Sequence, residues 1–349
     1  MFKSLTIVFI LTISACKSEV KKPNLISNPP SVEISTVIED SISIRALDFE
    51  NKQYWFAGSK AKYGYINNLT NEVITFQIDS INDLEFRSIA ATPNYTYILT
   101  AGNPALVYKI SQDNNKIQLV YTEEGESVFY DSMKFWNDTE GIALGDPQNG
   151  CFSLIKTIDG GKNWQKTNCE AMPKALSGEA AFAASNSNLK IYKNHIWFVT
   201  GGKHSRVFHS KNKGQSWKVY TTPVISGKQM TGIYAIDFYD ENLGVIIGGD
   251  WNNKNSKNKN IAITTDGGKT WQLLSNETGP GYCSDIVFIP ETQGQELLAV
   301  GSLGIWWSEN QGKNWKKLSN EGFYTVEMVN KSDGFLAGHH KISRLKLKR

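Results

Sequence analysis

The chain has 349 residues, a formal net charge of +3 at pH 7, and frequent glycine (29), tyrosine (14) and tryptophan (10). So small a charge, carried by dispersed Lys and Arg residues, argues against a nucleic-acid-binding surface, and we predict no nucleic-acid partner. No long apolar stripe with a helical period is present, so the composition favours an all-β fold that buries a large core.

The amino terminus has the pattern of a secretory signal. Lys3 precedes an apolar run over residues 5–13, and the small residues Ser14 and Ala15 precede Cys16. The run is too short to remain as a membrane span, and residues 13–16 resemble the lipobox of bacterial lipoproteins. We therefore predict a lipoprotein signal peptide over residues 1–16, a lipid on Cys16, and an anchored location in the bacterial cell envelope, facing the periplasm or surface-exposed. An ordinary cleaved signal is the alternative.

Residues 17–30 are polar, contain prolines and show no apolar periodicity, which predicts a flexible tether. Residues 31–37 then alternate between apolar and polar side chains, which predicts a strand without a nearby hairpin partner. We therefore place the start of the folded domain at residue 31 and its end at residue 349.

A repeated unit follows, in which an apolar strand ends in glycine between two shorter strands. These apolar strands lie at residues 54–58, 97–102, 141–145, 196–201, 243–248, 297–301 and 334–338. A period of about 40 to 50 residues is that of propeller blades, and it predicts a seven-bladed β-propeller with four-stranded antiparallel blades. The last unit lacks a fourth strand, so we expect the strand at 31–37 to complete it and close the ring.

Four of the units carry the same eight-residue turn. Residues 157–164 and 264–271 read Thr-x-Asp-Gly-Gly-Lys-x-Trp, and looser copies with Asn212 and Asn310 occupy residues 210–217 and 308–315. An Asp or Asn side chain accepts hydrogen bonds from nearby backbone N–H groups, while glycine supplies positive φ. The turn is therefore predicted to be structural, with Asp159 and Asp266 fastening it and Trp164 and Trp271 entering the next strand.

This spacing resembles the BNR or Asp-box repeat of sialidase-like and other β-propellers. The resemblance implies that each box joins the two outer strands of a blade, on the side away from the usual ligand site. From about residue 86 onwards the chain is also similar to secreted bacterial propellers related to the photosystem II stability and assembly factor, a WD40/YVTN-like group. The stretches that carry this second resemblance are residues 129–131, 141–147, 178–185, 201–202 with 206–208, and 248–250.

Residues that enter the innermost strand of a propeller blade tend to point to the mouth of the channel. In this sequence those positions are Arg45, Arg87, Asp131, Glu179, Tyr234, Tyr282 or Ser284, and Tyr324. Buried charges are costly unless they are paired, so Arg45, Arg87, Asp131 and Glu179 could either neutralise one another around channel water or bind a ligand. We take Arg45, Arg87, Arg206, Tyr234 and Tyr324 as the candidate ligand-binding residues.

Glu179 stands between Gly178 and a small apolar run at residues 180–184, where close packing would raise the pKa of its carboxyl group. Such a group suits a general acid or base, and it equally suits a buried salt bridge to Arg206 or Arg87. Sialidases resemble one another in a triad of arginines that binds a carboxylate, and here Arg45, Arg87 and Arg206 could form one only by supposition. The residues around Arg87 match the arginine motif of sialidases poorly.

Two functions from different classes follow. The first is a non-catalytic scaffold that binds an unknown protein or glycan at the channel face. The alternative is a carbohydrate-active enzyme, a glycoside hydrolase or lyase, with Glu179 or Asp131 as acid or base. The sequence has no phosphate-binding loop, no nucleophile elbow and no His/Cys metal spacing, so we predict no cofactor and no metal. Cys151 and Cys169 flank one box and a bridge between them is left open, whereas Cys283 is expected to be buried.

Overall fold

The computed structural model describes residues 28–78, 84–274 and 279–349. The predicted signal peptide, the lipidated Cys16 and most of the predicted tether lie outside the described residues. No helix within the described ranges has the length and apolar character that a membrane crossing requires.

The described residues form an all-β fold with two short 3-10 helices, Cys169–Ala171 and Trp251–Asn253. The strands in chain order are β1 Ser31–Glu50, β2 Gln53–Gly58, β3 Lys62–Asn67, β4 Val73–Gln77, β5 Phe86–Ala91, β6 Tyr95–Thr100, β7 Ala105–Ser111, β8 Ile117–Glu123, β9 Tyr130–Phe135, β10 Gly141–Gln148, β11 Cys151–Thr157, β12 Gln165–Lys166, β13 Glu179–Ala180, β14 Leu189–Tyr192, β15 His195–Val199, β16 Gly201–Gly202, β17 Arg206–Ser210, β18 Lys218–Thr221, β19 Thr231–Phe238, β20 Gly244–Asp250, β21 Ile261–Thr264, β22 Gln272–Leu273, β23 Asp285–Phe288, β24 Leu297–Gly301, β25 Gly304–Ser308, β26 Lys316–Ser319, β27 Thr325–Met328, β28 Asp333–Ala337 and β29 His339–Lys348.

The strands assemble into antiparallel sheets of which four are four-stranded. Their orders are β5-β6-β7-β8, β12-β11-β10-β9, β14-β15-β17-β18 and β23-β24-β25-β26. A six-stranded sheet adds the short β13 and β16 beside β19-β20-β21-β22, and a seven-stranded sheet has the order β27-β28-β29-β1-β2-β3-β4. Successive four-stranded meanders of this kind are the blades of a β-propeller.

The two ends of the chain meet in the long strand β1. Its first part pairs with β29, from Ser31 opposite Lys348 to Ser43 opposite His339, and its second part pairs with β2, from Ile44 onwards. The predicted pairing between the amino-terminal strand and the last strands is therefore present, and it leaves no free edge at either terminus.

The apolar core lies between neighbouring sheets, where buried side chains form seven clusters among the described residues. Aromatic rings fill these clusters, as where Trp197 stacks on Phe238 at a centroid distance of 3.8 Å. Six of the clusters join residues from two sheets, so burial of apolar surface holds those sheets side by side. The seventh cluster, around Tyr54 and Phe335, lies within the seven-stranded sheet.

Carboxylates on three innermost strands clamp each sheet to the next. One oxygen of Asp48, Asp237 and Asp285 accepts the N–H of the following residue. The other oxygen accepts a backbone N–H from the neighbouring sheet, from Ala91 at 2.8 Å, Phe288 at 2.7 Å and Val326 at 3.0 Å respectively. These carboxylates satisfy buried backbone donors and are structural.

The structure shows which of the cysteines at positions 151, 169 and 283 are bonded to each other. Cys151 at the start of β11 and Cys169 in the first 3-10 helix form a disulfide with a Cα–Cα distance of 5.6 Å. Cys283 is a buried thiol, and burial raises its pKa above the ordinary value.

Candidate functional site

Each Asp-box turn is held by hydrogen bonds within its own eight residues. In the first box, Asp159 Oδ1 accepts from Thr157 Oγ1 and from Asn163 N, both at 2.9 Å, and Thr157 Oγ1 accepts from Gly161 N at 2.8 Å. Asn163 Nδ2 also donates to Asp159 Oδ2 at 2.7 Å, and this bond, together with the other bonds to the carboxylate, lowers the pKa of Asp159 to about 2.

The other three boxes repeat this bonding. Asp266, Asn212 and Asn310 each accept from the hydroxyl two residues earlier and from the backbone N–H four residues later. Gly160 O and Gly267 O also accept bonds from Tyr97 Oη and Trp197 Nε1 of the preceding sheets, both at 2.9 Å. All four boxes therefore fasten hairpins, and the two Asp boxes also dock on the preceding sheet.

The centre of the ring is crossed by residues 178–188, which we name the channel segment. Its backbone and side chains bond to five other parts of the fold. The contacts are Ala181 N to Asp146 Oδ1 (2.8 Å), Arg45 Nη1 to Ala184 O (3.0 Å), Ser185 Oγ to Ser284 O (2.8 Å), Asn186 Nδ2 to Ile89 O (2.6 Å) and Ile236 N to Ser187 O (2.8 Å). A segment that reaches so many inner strands must lie across the channel.

Beside the channel segment lies a cavity of about 350 Å³, which we name the mouth cavity. Its polar lining comes from Arg45, Arg87 and Asp146, and its aromatic lining from Phe129, Phe182, Tyr234, Trp251 and Tyr282. Phe182 stacks on Tyr234 at a centroid distance of 4.3 Å, and Tyr282 meets Tyr234 edge-on at 4.7 Å. The cavity is thus apolar with a few charged groups, as ligand sites usually are.

The two arginines of the mouth cavity differ in their partners. Arg87 is neutralised by Glu85, with Nη2 and Nε both 3.1 Å from the carboxylate oxygens. Arg45 has no carboxylate within ion-pair distance among the described residues, and its guanidinium lies 4.0 Å above the ring of Tyr324. Burial lowers the pKa of Arg45, and the charge of Arg87 adds to that shift.

Glu179 and Arg206 are paired with each other and do not line the mouth cavity. Arg206 Nε lies 2.8 Å from Glu179 Oε1, and its Nη2 lies 2.5 Å from Oε2. Thr200 Oγ1 and Leu176 N donate two more bonds to the same carboxylate at 2.6 and 2.9 Å. The side chain of Glu179 is 0 % exposed, and of the two pairings expected from the sequence, the structure contains the one with Arg206.

Asp131 lies behind the cavity wall. It is 0 % exposed, and neither carboxyl oxygen makes a hydrogen bond of good geometry within the described part of the chain. Burial raises the pKa of Asp131 well above its ordinary value, and the neighbouring Asp146 adds to this shift, while Arg87 and the Ala183 N–H oppose it. The environment of Asp131 therefore favours the protonated form of its carboxyl group.

The structure brings Arg45, Arg87 and Tyr234 to the mouth cavity and places Tyr324 beneath Arg45. Of the two alternatives Tyr282 and Ser284, Tyr282 lines the cavity, whereas Ser284 Oγ donates a hydrogen bond to Tyr324 O at 2.7 Å. Asp146, Phe129 and Trp251 were missed from the sequence. Asp146 belongs to β10, which is not an innermost strand, so the positional rule passes over it. Within the described ranges, no group of three His, Cys, Asp or Glu side chains is placed to hold a metal ion.

The model of the BNR/Asp-box repeat family matches residues 262–273, which contain the second box. The solved structure of YCF48 bound to D1 peptide is similar over 95 % of this chain and 100 % of its own, with a TM-score of 0.67 at 15 % identity. YCF48 from Cyanidioschyzon merolae covers 91 % of this chain and 98 % of its own, with a TM-score of 0.65 at 12 % identity.

The WD40 repeats of RRP9 are similar over 92 % of this chain and 100 % of their own length, with a TM-score of 0.65 at 11 % identity. No curated protein matches the sequence. The chain therefore contains a BNR/Asp-box repeat and has a β-propeller fold similar to the folds of YCF48 and of the WD40 repeats of RRP9. At these identities the likeness concerns the fold alone.

Proposed function

We propose that this propeller is a binding and assembly scaffold that takes an anionic segment of a partner polypeptide into the mouth cavity. The observation that carries the proposal is Arg45, a largely buried guanidinium without a carboxylate partner among the described residues. A buried charge is costly until it is paired, so a ligand carboxylate at this position gains more than it would at the protein surface.

The aromatic lining supports an apolar group next to that carboxylate. Trp251 is 45 % exposed at the rim, and Phe182, Tyr234 and Tyr282 offer ring surfaces inside. Aromatic anchors beside an arginine are the usual composition of sites that dominate binding between proteins. The structural relatives agree with this class of function, because YCF48 is seen with a peptide and RRP9 contains WD40 repeats.

We also propose that the ring has seven blades. The seven-stranded sheet would contribute two of them, split within β1, whose first part pairs with β29 and whose second part pairs with β2. The seven apolar clusters then correspond to seven spaces between neighbouring blades, with Phe335 and Tyr54 meeting across the last space at 4.2 Å.

Anchoring to the bacterial envelope through a lipid on Cys16 remains part of the proposal. It rests on the sequence pattern of residues 3–16, and metabolic labelling with a palmitate analogue tests it. Label is expected on the wild-type chain and absent from Cys16→Ala; label on neither would contradict the anchor.

The enzymatic alternative keeps one supporting observation, the closeness of Asp131 and Asp146 at the cavity wall. It no longer draws support from Glu179, whose two oxygens are occupied by Arg206, Thr200 and Leu176. One similar structure, YCF48, is seen with a bound peptide, so we favour a protein without catalytic activity.

The proposal is tested with capped fluorescent octapeptides on the full-length chain. One peptide contains Phe-Glu in a Gly/Ser background, and its match contains Phe-Gln. We expect the Phe-Glu peptide to bind roughly tenfold or more tightly than its match, because a charge-assisted hydrogen bond in a buried site contributes about 1.5–3 kcal/mol.

Arg45→Ala should abolish the difference between the two peptides. Arg349→Ala serves as the matched control, because it removes the same charge from a residue paired with Glu296 outside the mouth cavity. Equal binding of both peptides to the wild-type chain, or an unchanged preference in Arg45→Ala, would contradict the proposed site.

A further inference from the structure

Asp146 has one carboxylate oxygen with a fixed partner and one without. Its Oδ1 accepts the N–H of Ala181 at 2.8 Å, which holds the carboxyl group against the channel segment. Its Oδ2 makes no hydrogen bond within the described residues and is not enclosed by them. Because Asp146 lines the mouth cavity, this oxygen is available to a ligand.

Asp146 is mostly ionised at pH 7, because its pKa stays below 7. Burial raises its pKa to about 6, and the Ala181 N–H opposes the shift. Burial and the charge of Asp146 raise the pKa of the neighbouring Asp131 on β9 well above its ordinary value. Arg87 on β5 is neutralised by Glu85, Tyr234 and Tyr282 are neutral, and Arg45 on β1 is the remaining charged group of the lining.

The mouth cavity therefore contains one unpaired cation, Arg45, and one anion with a free oxygen, Asp146. The rings of Phe129, Phe182 and Tyr234 lie in the same lining. Aromatic faces together with a carboxylate attract an ammonium group, because the ring quadrupole and the charge act in the same direction.

We propose that Asp146 is a second recognition group of the mouth cavity and takes a primary ammonium group of the ligand, while Arg45 takes the anionic group. This inference rests on the proposed function, and it makes the cavity selective for a segment that carries both charges. The ammonium group can come from a lysine side chain or from a free amino terminus, and the experiment distinguishes the two.

Two small probes separate the groups. Phenethylamine carries the ammonium alone and 3-phenylpropionate carries the carboxylate alone, and ligand-observed NMR measures the affinity of each for the full chain. Asp146→Asn keeps the acceptor for Ala181 N–H and removes the charge. We expect this variant to weaken the binding of phenethylamine roughly tenfold or more and to leave the binding of 3-phenylpropionate unchanged or tighter. Arg45→Ala should show the reverse pattern.

The pH dependence supplies a readout that a merely structural role would not give. Lowering the pH from 7.5 to 5.5 protonates most of Asp146, whose pKa is about 6, so phenethylamine should bind more weakly. The carboxyl group of 3-phenylpropionate stays mostly ionised at this pH, so its binding should not weaken. The pH response of phenethylamine should vanish in Asp146→Asn.

Failure of this inference is distinct from failure of the proposed function. If 3-phenylpropionate binds through Arg45 while phenethylamine does not bind, or binds Asp146→Asn equally well, the role of Asp146 is overturned and the anion site stands. If neither probe binds the wild-type chain, both proposals fall.

The source of the ammonium group is identified with peptides that all contain Phe-Glu. One has a lysine and an acetylated amino terminus, one has a free amino terminus and no lysine, and one has neither. Stronger, Asp146-dependent binding of the first or the second supports the proposal and names the source. Equal binding of all three overturns it.

Discussion

The Asp-box hairpins and the channel segment hold the propeller together by opposite means. A box bonds within eight residues, as Asp159 does to Thr157 and Asn163, and each of its four copies repeats those bonds. The channel segment bonds to Asp146, Arg45, Ile89 and other residues scattered along the chain.

This difference teaches where function can reside. A box makes its hydrogen bonds within its own turn, so its Asp or Asn side chain serves the fold. The channel segment instead forms one wall of the mouth cavity, and the groups it faces are only partly satisfied by it, as Arg45 and Asp146 show.

The largest effect is expected from releasing the anchor of the channel segment. Glu179→Ala leaves Arg206 buried and unpaired, and breaking a buried ion pair in this way costs about 3–5 kcal/mol of unfolding free energy. Urea denaturation measures the loss. Glu241→Ala is the control, because its pair with Lys193 is exposed to solvent and should contribute little to the unfolding free energy. Equal costs for the two variants would contradict the anchoring role.

The next effect concerns the loop that leads into the channel segment. Replacing Cys151 and Cys169 by serine removes a crosslink that spans 18 residues, and chain entropy predicts a loss of about 3 kcal/mol. Cys283→Ser is the comparison, since that thiol closes no loop. Thermal unfolding of the wild-type chain with and without reductant should show the same difference, and a loss well below 1 kcal/mol would be the contrary result.

A smaller, local effect is expected in a box. Asp159→Ala should cost about 1–2 kcal/mol at pH 7, because the variant leaves the Asn163 N–H without its acceptor. Asn212→Ala, in a box without the charge, should cost less. The folded-state pKa of Asp159 is about 2, below its unfolded value, so its contribution is present above about pH 4 and fades as the pH falls towards 2. A difference from wild type that is as large at pH 2 as at pH 7 would contradict this account.

The smallest effect on stability is expected at Arg45. Arg45→Ala removes one hydrogen bond to Ala184 O and the stacking on Tyr324, but it also removes a buried unpaired charge. We expect the unfolding free energy to change by less than about 1 kcal/mol in Arg45→Ala and to fall by several kcal/mol in Arg206→Ala. Arg45→Ala should also lose the anion binding described above. Chemical denaturation of both variants provides the comparison, and similar losses in the two would show that Arg45 is structural.

The sequence predicted the repeated parts of the fold well because their determinants are local. The bonds of a box join residues two to four positions apart, so the spacing of Asp, Gly and Trp is enough to identify the turn. The pairing of the chain ends was also predictable, because a strand without a hairpin partner and a last unit with one strand too few required each other.

The candidate site was predicted only in part. The position at the start of an innermost strand identified Arg45, Arg87 and Tyr234 as residues of the channel mouth, and all three line one cavity. The same rule included Glu179, and it could not distinguish a ligand-binding carboxylate from one already bonded to Arg206, 27 residues further along the chain.

What the sequence by itself determined is the propeller architecture, because hydrophobic period and turn chemistry act over a few residues and repeat. Only the tertiary structure decided which charges are paired, which cysteines are joined, and that Asp146 stands in the mouth cavity with Arg45. Those outcomes depend on how the channel segment crosses the ring, and burial in that crossing, through the cost of desolvating a charge, separates the residues that stabilise the fold from those left open to a ligand.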